Sequence, residues 1–382
     1  MNSGQKVLIP YVLFAFVLGF AWFMLAPLVP GLASELHVSI SAVLLFISMY
    51  GYAMVVGSIP AGVWTAKSGP APVLTLAILL SSIGLLLRAF AHNYTLFLMA
   101  QIVAALAYPF LIAPIGSILR LSGVRRLKAG TGLTIGALFL GMGISALLSS
   151  NLGLSTALWL GFALNALIGI WLFFAVRSVP RPETGASSIR VRLTYSNWWI
   201  IGFVVSSTSV MIGGITSAAL AHLHVAHAEI LGGLLSGLTF IGSAVGAALF
   251  GVLGETTSRL KPLMVILAVF TWLSILWITL VLTGHVQNNS GLLSVVFFLA
   301  GAFGNGWYTL TLEEAAKRAE NAGSAGLNTA GYSLASNIGV AIVPVILGPM
   351  VISQPTSWVS ITLILGLLAI LFTFITRTTR TH

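Results

Sequence analysis

Long apolar runs recur along the chain, separated by short polar or turn-forming segments. A helix rises about 1.5 Å per residue and a bilayer core is about 30 Å thick, so a spanning helix needs roughly 20 apolar residues. Runs of that length lie near 8–29, 40–64, 72–90, 95–119, 129–150, 155–176, 197–221, 229–253, 263–284, 291–312, 324–347 and 357–376. The pattern predicts twelve spanning helices. The breaks between them carry Pro30-Gly31, Ser68-Gly69-Pro70, His92-Asn93, Arg125-Arg126, Asn151-Leu152-Gly153, Asn288-Asn289 and Gln354-Pro355. Gly, Pro and Asn at such places end helices or start turns. An outer-membrane barrel is excluded, because barrel strands are short and alternate in polarity. The longest interior hydrophilic stretch, Arg177–Asn197, follows the sixth run. It predicts two six-helix bundles, 1–178 and 197–382, joined by a cytoplasmic linker over 179–196.

Composition agrees with this reading. The chain is 58% hydrophobic and 6% charged, whereas an ordinary soluble domain is about 25% charged. A soluble enzyme, a disordered chain and a coiled coil are all excluded. The net charge of +10 could suggest nucleic acid, but placing the charges on the spans removes that reading. With the N-terminus inside, sixteen of the seventeen basic residues fall in cytoplasmic segments, and Arg88 alone lies on the outer side. Such a bias orients membrane proteins. The expected setting is therefore a multi-pass protein of the cell (inner) membrane with both termini cytoplasmic, its basic loops beside lipid headgroups and no nucleic-acid partner. The first run lacks a cleavage site and reads as a spanning helix rather than a signal peptide. Without Cys, disulfides, thiol catalysis and thiolate metal sites are unavailable. There is no phosphate-cradling Gly-rich loop, so neither ATP-driven chemistry nor another cofactor is expected.

The two halves share a loop. The second and third spans are joined by Gly62-Val-Trp-Thr-Ala66-Lys67-Ser-Gly69-Pro70, the eighth and ninth by Gly251-Val-Leu-Gly-Glu255-Thr-Thr-Ser-Arg259-Leu-Lys261-Pro262. The leading glycines are 189 residues apart, about half the chain. Duplicated halves with a site at their interface are a transporter signature. The six-plus-six topology and this loop pair resemble the major facilitator superfamily, loosely its cyanate-permease-like and nitrate-transporter-like members. Leu85-Leu86-Leu87-Arg88 and the Gly331-Tyr332, Ser336-Asn337 and Pro344 positions of the eleventh span carry the narrower likeness. The family loop is Gly-x-x-x-Asp-Arg-x-Gly-Arg-Arg. Gly62, Lys67 and Gly69 match it, whereas Ala66 replaces the acid and Pro70-Ala71 the final basic pair. The second copy keeps Glu255 and Arg259. By resemblance these residues form a cytoplasmic gate, and the loss of the acid at Ala66 leaves Glu255 to carry it. An acid near a helix N-terminus is favourable by several tenths of a kcal/mol.

The resemblance also implies that spans 1, 4, 7 and 10 line a central path, with the site near the midplane. Polar and aromatic residues near the middle of those spans are Trp22, Gln101, Tyr108, the run Ser206–Ser209, Asn305, Trp307 and Tyr308. The eleventh span adds Tyr332, Ser333 and Asn337. Each has a simpler reading as interhelical hydrogen bonding or packing. Gln101 stands where many proton-coupled members have Arg. No ionisable residue falls near the middle of a span, which argues against a buried-carboxylate proton path and against an anion site built on a buried Arg. Amides, hydroxyls and aromatic rings suit a neutral or zwitterionic small molecule or ion, and rings could also hold a cation. Arg88 reads as an interfacial residue that reaches the headgroups or draws anions to an outer vestibule. His222 and His224 would stand in the same vestibule. On a helix, His224 and His227 would share a face, but interfacial polarity outweighs metal binding there, and no metal site is expected. Glu313/Lys317 and Glu314/Arg318 are i,i+4 pairs and predict a short surface helix after span ten. Gly132-x-x-x-Gly136, Gly233-x-x-x-Gly237 and Gly242-x-x-x-Gly246 would permit close helix approach where spans five and eight meet.

The function expected from the sequence is transport of a small solute by a monomeric, non-enzymatic carrier with alternating access and no catalytic residues. An efflux carrier for apolar, drug-like compounds and a non-transporting receptor on the same scaffold are the alternatives.

Overall fold

The computed structural model describes residues 3–121, 123–124, 126–179, 196–210, 216–257, 259–287, 289–317, 322–347 and 350–376. The regular elements among these are helical. The first half holds α1 (Ser3–Phe23), a 3-10 turn, α2 (Val29–Glu35), α3 (Ile40–Ser68), α4 (Pro70–Phe90), α5 (Tyr94–Ala105), α6 (Ala107–Ile112), α7 (Ile115–Leu121), α8 (Leu127–Leu152) and α9 (Leu154–Val176). The second half holds α10 (Ser196–Val210), α11 (Thr216–His222), α12 (Ala228–Thr256), α13 (Leu260–Leu282), α14 (Ser290–Lys317), α15 (Ala322–Leu347), α16 (Met350–Ser353) and α17 (Pro355–Ile375). Ten helical stretches among the described residues are long and apolar enough to cross a membrane. They coincide with ten of the twelve expected spans. The eleventh span falls on α15. The seventh falls on α10 and α11, on either side of residues outside the description. The linker residues 180–195, Arg318 and the side chains of Ser207, Thr208 and Ser209 also lie outside it.

Local chemistry explains the helix ends. Gly69 adopts φ +79 between α3 and α4, a conformation open to glycine, and its N–H donates to Thr65 O at 2.9 Å. Pro70 then starts α4, where its missing N–H costs nothing. Asn93 caps α5, its Oδ1 accepting from the Leu96 amide at 2.9 Å. The fourth span is not one helix. Pro109 and Pro114 each remove an amide donor, and the span divides into α5, α6 and α7. The Tyr11 hydroxyl donates to Leu111 O at 2.7 Å, beside the second break.

Glycine decides which helices touch closely. A Cβ built on Gly19 would lie 2.0 Å from Leu138 O, and one on Gly141 would lie 2.0 Å from Phe16 O, so α1 and α8 meet backbone to backbone. In the second half, Gly242, Gly246 and Gly301 bring α12 and α14 together in the same way. Across the halves, Gly132 and Gly136 of α8 face Ala247 O and Ala244 O of α12. Gly132-x-x-x-Gly136 thus meets the other half, whereas Gly242-x-x-x-Gly246 packs within its own half, on α14.

The short surface helix expected after span ten does not form. Helix α14 continues without a break to Lys317 and buries Glu313 and Glu314. Glu313 pairs with Lys317 at 3.6 Å. Nearby, Arg120 at the end of α7 donates to Ala316 O of α14 at 3.0 Å.

Gly246→Val places side-chain atoms where Ala302 O stands, 1.8 Å from the position of a Cβ. The expected cost is about 1–3 kcal/mol, as for overpacked cores, read as a lowered melting midpoint of the purified protein. Gly233→Ala, which meets open space, should leave the midpoint unchanged.

Candidate functional site

Alternating spans carry the chain back and forth, so one end of the bundle holds the start of α1, the α3–α4 turn and the α12–α13 link. We call it the N-terminal end. A cavity of about 390 Å³ lies between the halves on the other side of the midplane. Its lining includes Trp22 and Phe23 in the last turn of α1, Tyr108 in α6, Ser206 in α10 and Ser336 and Asn337 in α15.

The other lining residues fall in helical stripes. Ile135, Leu138, Phe139 and Met142 form one on α8; Ser236, Thr239, Phe240 and Ser243 form one on α12; Phe297, Ala300, Gly301, Gly304, Asn305 and Tyr308 form one on α14. Spacings of three, four and seven put such residues on one helix face. Ile47, Ser48, Gly51 and Tyr52 of α3 complete the wall. Spans two, five and eight thus contribute as much as the four named by resemblance. On α12 the signal for this was the i, i+3, i+7 recurrence of the hydroxyl residues Ser236, Thr239 and Ser243.

Aromatic rings and paired polar groups shape the interior. The Trp22 ring stacks on Tyr50 at 4.7 Å and meets Tyr108 at 5.0 Å. Its Nε1–H donates to Ile47 O at 2.8 Å, which fixes the ring's orientation. Phe240 takes Phe23 edge-on at 4.4 Å and stacks with Phe139 at 6.1 Å, joining the halves across the cavity. Asn305 Nδ2 donates to Ser243 Oγ at 2.6 Å, and the Ser206 and Ser336 hydroxyls pair at 2.6 Å. Asn337 donates to Ser333 O at 2.9 Å. These groups can offer hydrogen bonds to a small solute against apolar and aromatic walls.

The N-terminal end is closed by bonds between the halves. Glu255 Oε1 accepts the Lys128 amide of the first turn of α8 at 2.6 Å, and Lys128 Nζ donates to Gly254 O at 2.7 Å. A carboxylate there satisfies an otherwise orphaned amide and faces the positive end of the helix dipole. The Arg120–Ala316 bond is a third crossing. Ala61, Ala113 and Ala330 close the space above, packed against Phe110. Of the loop residues expected to form a gate, Glu255 makes this crossing. Gly62 and Gly69 are buried at the end of α3, while Lys67 and Arg259 are exposed.

Trp22, Tyr108, Asn305, Tyr308 and Asn337 line the cavity, whereas Gln101, Trp307 and Tyr332 lie outside its lining. Trp307 is buried in the core. It follows Asn305 by two positions, about 200° round a helix, so the two cannot face the same way. Tyr332 lies beneath the lining, its ring edge-on to Tyr308 at 5.4 Å and its hydroxyl 2.5 Å from Thr311 Oγ1. Gln101 is turned from the cavity towards Arg88. Arg88 itself is fully buried, not in a vestibule. Gly84 allows α4 against Ala104 of α5, the built Cβ lying 2.3 Å from the Ala104 amide nitrogen. One turn later the guanidinium meets Gln101 Oε1 at 2.9 Å and Ala21 O at 3.1 Å. The cation missing at position 101 thus arrives from a neighbouring helix. His222 and His224 are exposed and outside the cavity lining. α11 ends at His222, and His224 and His227 both take positive φ in the following turn, so they share no helix face.

The sequence model of the Major Facilitator Superfamily matches residues 11–325. No curated protein sequence matches the chain. Among solved structures, the human organic anion transporter MFSD10 (TETRAN) superposes with a TM-score of 0.77 at 13% identity, over 98% of this chain and 100% of that one. A bacterial homologue of the iron transporter ferroportin in an outward-facing state gives 0.75 at 15% identity, over 98% of each chain. The transporter FucP in its outward conformation gives 0.74 at 15% identity, over 99% of this chain and 100% of that one. At these identities the likeness is one of fold. With the family match covering most of its length, the chain belongs to the Major Facilitator Superfamily and is a membrane transporter rather than an enzyme.

Proposed function

We propose that the chain carries a small solute across the cell membrane by alternating access, as a secondary or facilitative carrier. The observation that carries this reading is the one-sided cavity. It is walled by both halves, reaches away from the N-terminal end, and is closed at that end by Lys128, Glu255 and Arg120. The N-terminal end is the cytoplasmic one in this reading, as the basic loops indicate. The moving bodies are residues 1–178 and 197–382, linked through 179–196, and the carrier works as a monomer. Where Gly132 and Gly136 meet Ala247 and Ala244, the facing surfaces are nearly free of side chains. Small residues let such surfaces rock with little steric resistance. Breaking the Glu255 contact and drawing the halves together at the other end would expose the same cavity to the opposite side.

The chain contains no Cys, so single Cys probes report cleanly. Asn305→Cys should react with membrane-impermeant maleimides applied from either side, and Trp22→Cys should do so from the outer side. No reaction at either position from either side would sink the proposed path. Ala330→Cys should be protected while the cytoplasmic end is closed. Glu255→Ala removes a charge-assisted bond worth about 1–2 kcal/mol. It should raise cytoplasmic labelling of Ala330→Cys by about tenfold; an unchanged rate would remove Glu255 from the gate.

A further inference from the structure

Arg88 is a charge that the carrier reading leaves unused. It is fully buried, and among the described residues no carboxylate pairs with it. A buried charge is costly unless it is paired and its hydrogen bonds are met. Its terminal nitrogens are held by neutral acceptors: Ala21 O, Gln101 Oε1 and, at 3.0 Å, Met24 Sδ. Gln101 Nε2 donates to Phe46 O at 2.8 Å, which keeps the amide oxygen turned towards Arg88. The Nε–H of Arg88 has no acceptor among the described residues. Tyr50 stands one turn along α3 from Phe46, whose carbonyl holds the Gln101 amide; it is equally buried, and its hydroxyl also lacks a partner among those residues. Two buried donors therefore lack an acceptor and one positive charge lacks an anion. Buried polar groups in folded proteins are otherwise nearly always satisfied. The place of the pair matters: Tyr50 is stacked on Trp22, and Trp22 lines the cavity. Tyr50 thus lies one ring behind the cavity wall, and Arg88 is held by the carbonyl of Ala21, the residue before Trp22.

We propose that Arg88 Nε–H and Tyr50 O–H form an anion subsite of the cavity, reached where the Trp22 ring now stands, for a single compact negative charge. That charge is the carboxylate of a small organic acid or an inorganic monoanion. Guanidinium is suited to carboxylates by both charge and geometry. The rest of an organic solute would lie against Trp22, Tyr108 and Phe240. An unpaired cation behind the wall would also disfavour cationic solutes. This inference rests on the cavity being the solute path, and it replaces the neutral or zwitterionic solute expected from the sequence.

The test is binding to the purified full-length protein in nanodiscs, at constant ionic strength set with sodium sulfate. The probes are sodium benzoate, its uncharged counterpart benzamide, and sodium chloride. Binding is read as a concentration-dependent rise in melting midpoint and as quenching of tryptophan fluorescence. Benzoate should bind about tenfold or more tightly than benzamide. Arg88→Gln should abolish that preference and leave benzamide binding unchanged. Tyr50→Phe should weaken benzoate several-fold, and it carries the test if Arg88→Gln does not elute as a monodisperse protein. Competition by chloride that depends on Arg88 assigns the site to compact monoanions in general; benzoate binding without such competition assigns it to carboxylates. Equal binding of benzoate and benzamide, a preference that survives both substitutions, or no binding of either anion overturns the subsite. Binding needs no transport cycle, so an inert Asn305→Cys with intact Arg88-dependent binding would defeat the carrier reading alone.

Discussion

In lipid, helices gain nothing from hiding apolar side chains against one another, because the acyl chains are as apolar as leucine. Association depends on how closely backbones can approach. In this protein the close approaches sit at glycine: Gly19 and Gly141 between α1 and α8, Gly242, Gly246 and Gly301 between α12 and α14, and Gly132 and Gly136 between the halves. Two of these seams are internal to a half, and the third lies between them. The first two fix the shape of each bundle. The third brings α8 and α12 together along a nearly smooth line, and the cavity opens beside it, on the stripes Ile135–Met142 and Ser236–Ser243. Side chains bulky enough to split that seam would displace the cavity walls as well.

With so few charges, each buried one has a task. Glu255 and Lys128 tie the end of α12 to the start of α8. Arg120 ties α7 to the end of α14. Both contacts use a charged side chain against a backbone group at a helix end, where an unpaired amide or carbonyl would otherwise be left. Such contacts can be exchanged for water, unlike the glycine seams, whose separation would leave voids. Arg88 differs from both in holding a buried Nε–H with no acceptor among the described residues.

The apolar runs alone revealed where helices lie, because length and hydropathy are local properties. Gly69 and Asn93 marked helix ends for the same reason. Facing was less legible. Asn305, Trp307 and Tyr308 were grouped by span, but helical geometry separates Trp307 from its neighbours, and the stripe through Ser236, Thr239, Phe240 and Ser243 was readable by the same rule. Burial of charge was not legible. Arg88 ends a span and looked interfacial; the approach of α4 to α5 at Gly84 and its bonds to α1 and Gln101 hold it inside. Glu313 and Glu314 looked like solvated i,i+4 partners, but α14 runs through them without a break and packing buries both. Both cases depend on tertiary approach, which no periodicity records.

The central claim is that two rigid halves turn about a shared cavity, and distances between spin labels at both ends address it most directly. Labels at exposed Asn93 and Val286 would report on the outer end, and labels at exposed Lys67 and Arg259 on the N-terminal end. Two populations are expected in the membrane-embedded protein: one in which the outer pair is far apart and the N-terminal pair close, and one in which both relations reverse. Distances that stay single-valued at both ends, or that lengthen and shorten together, would contradict it.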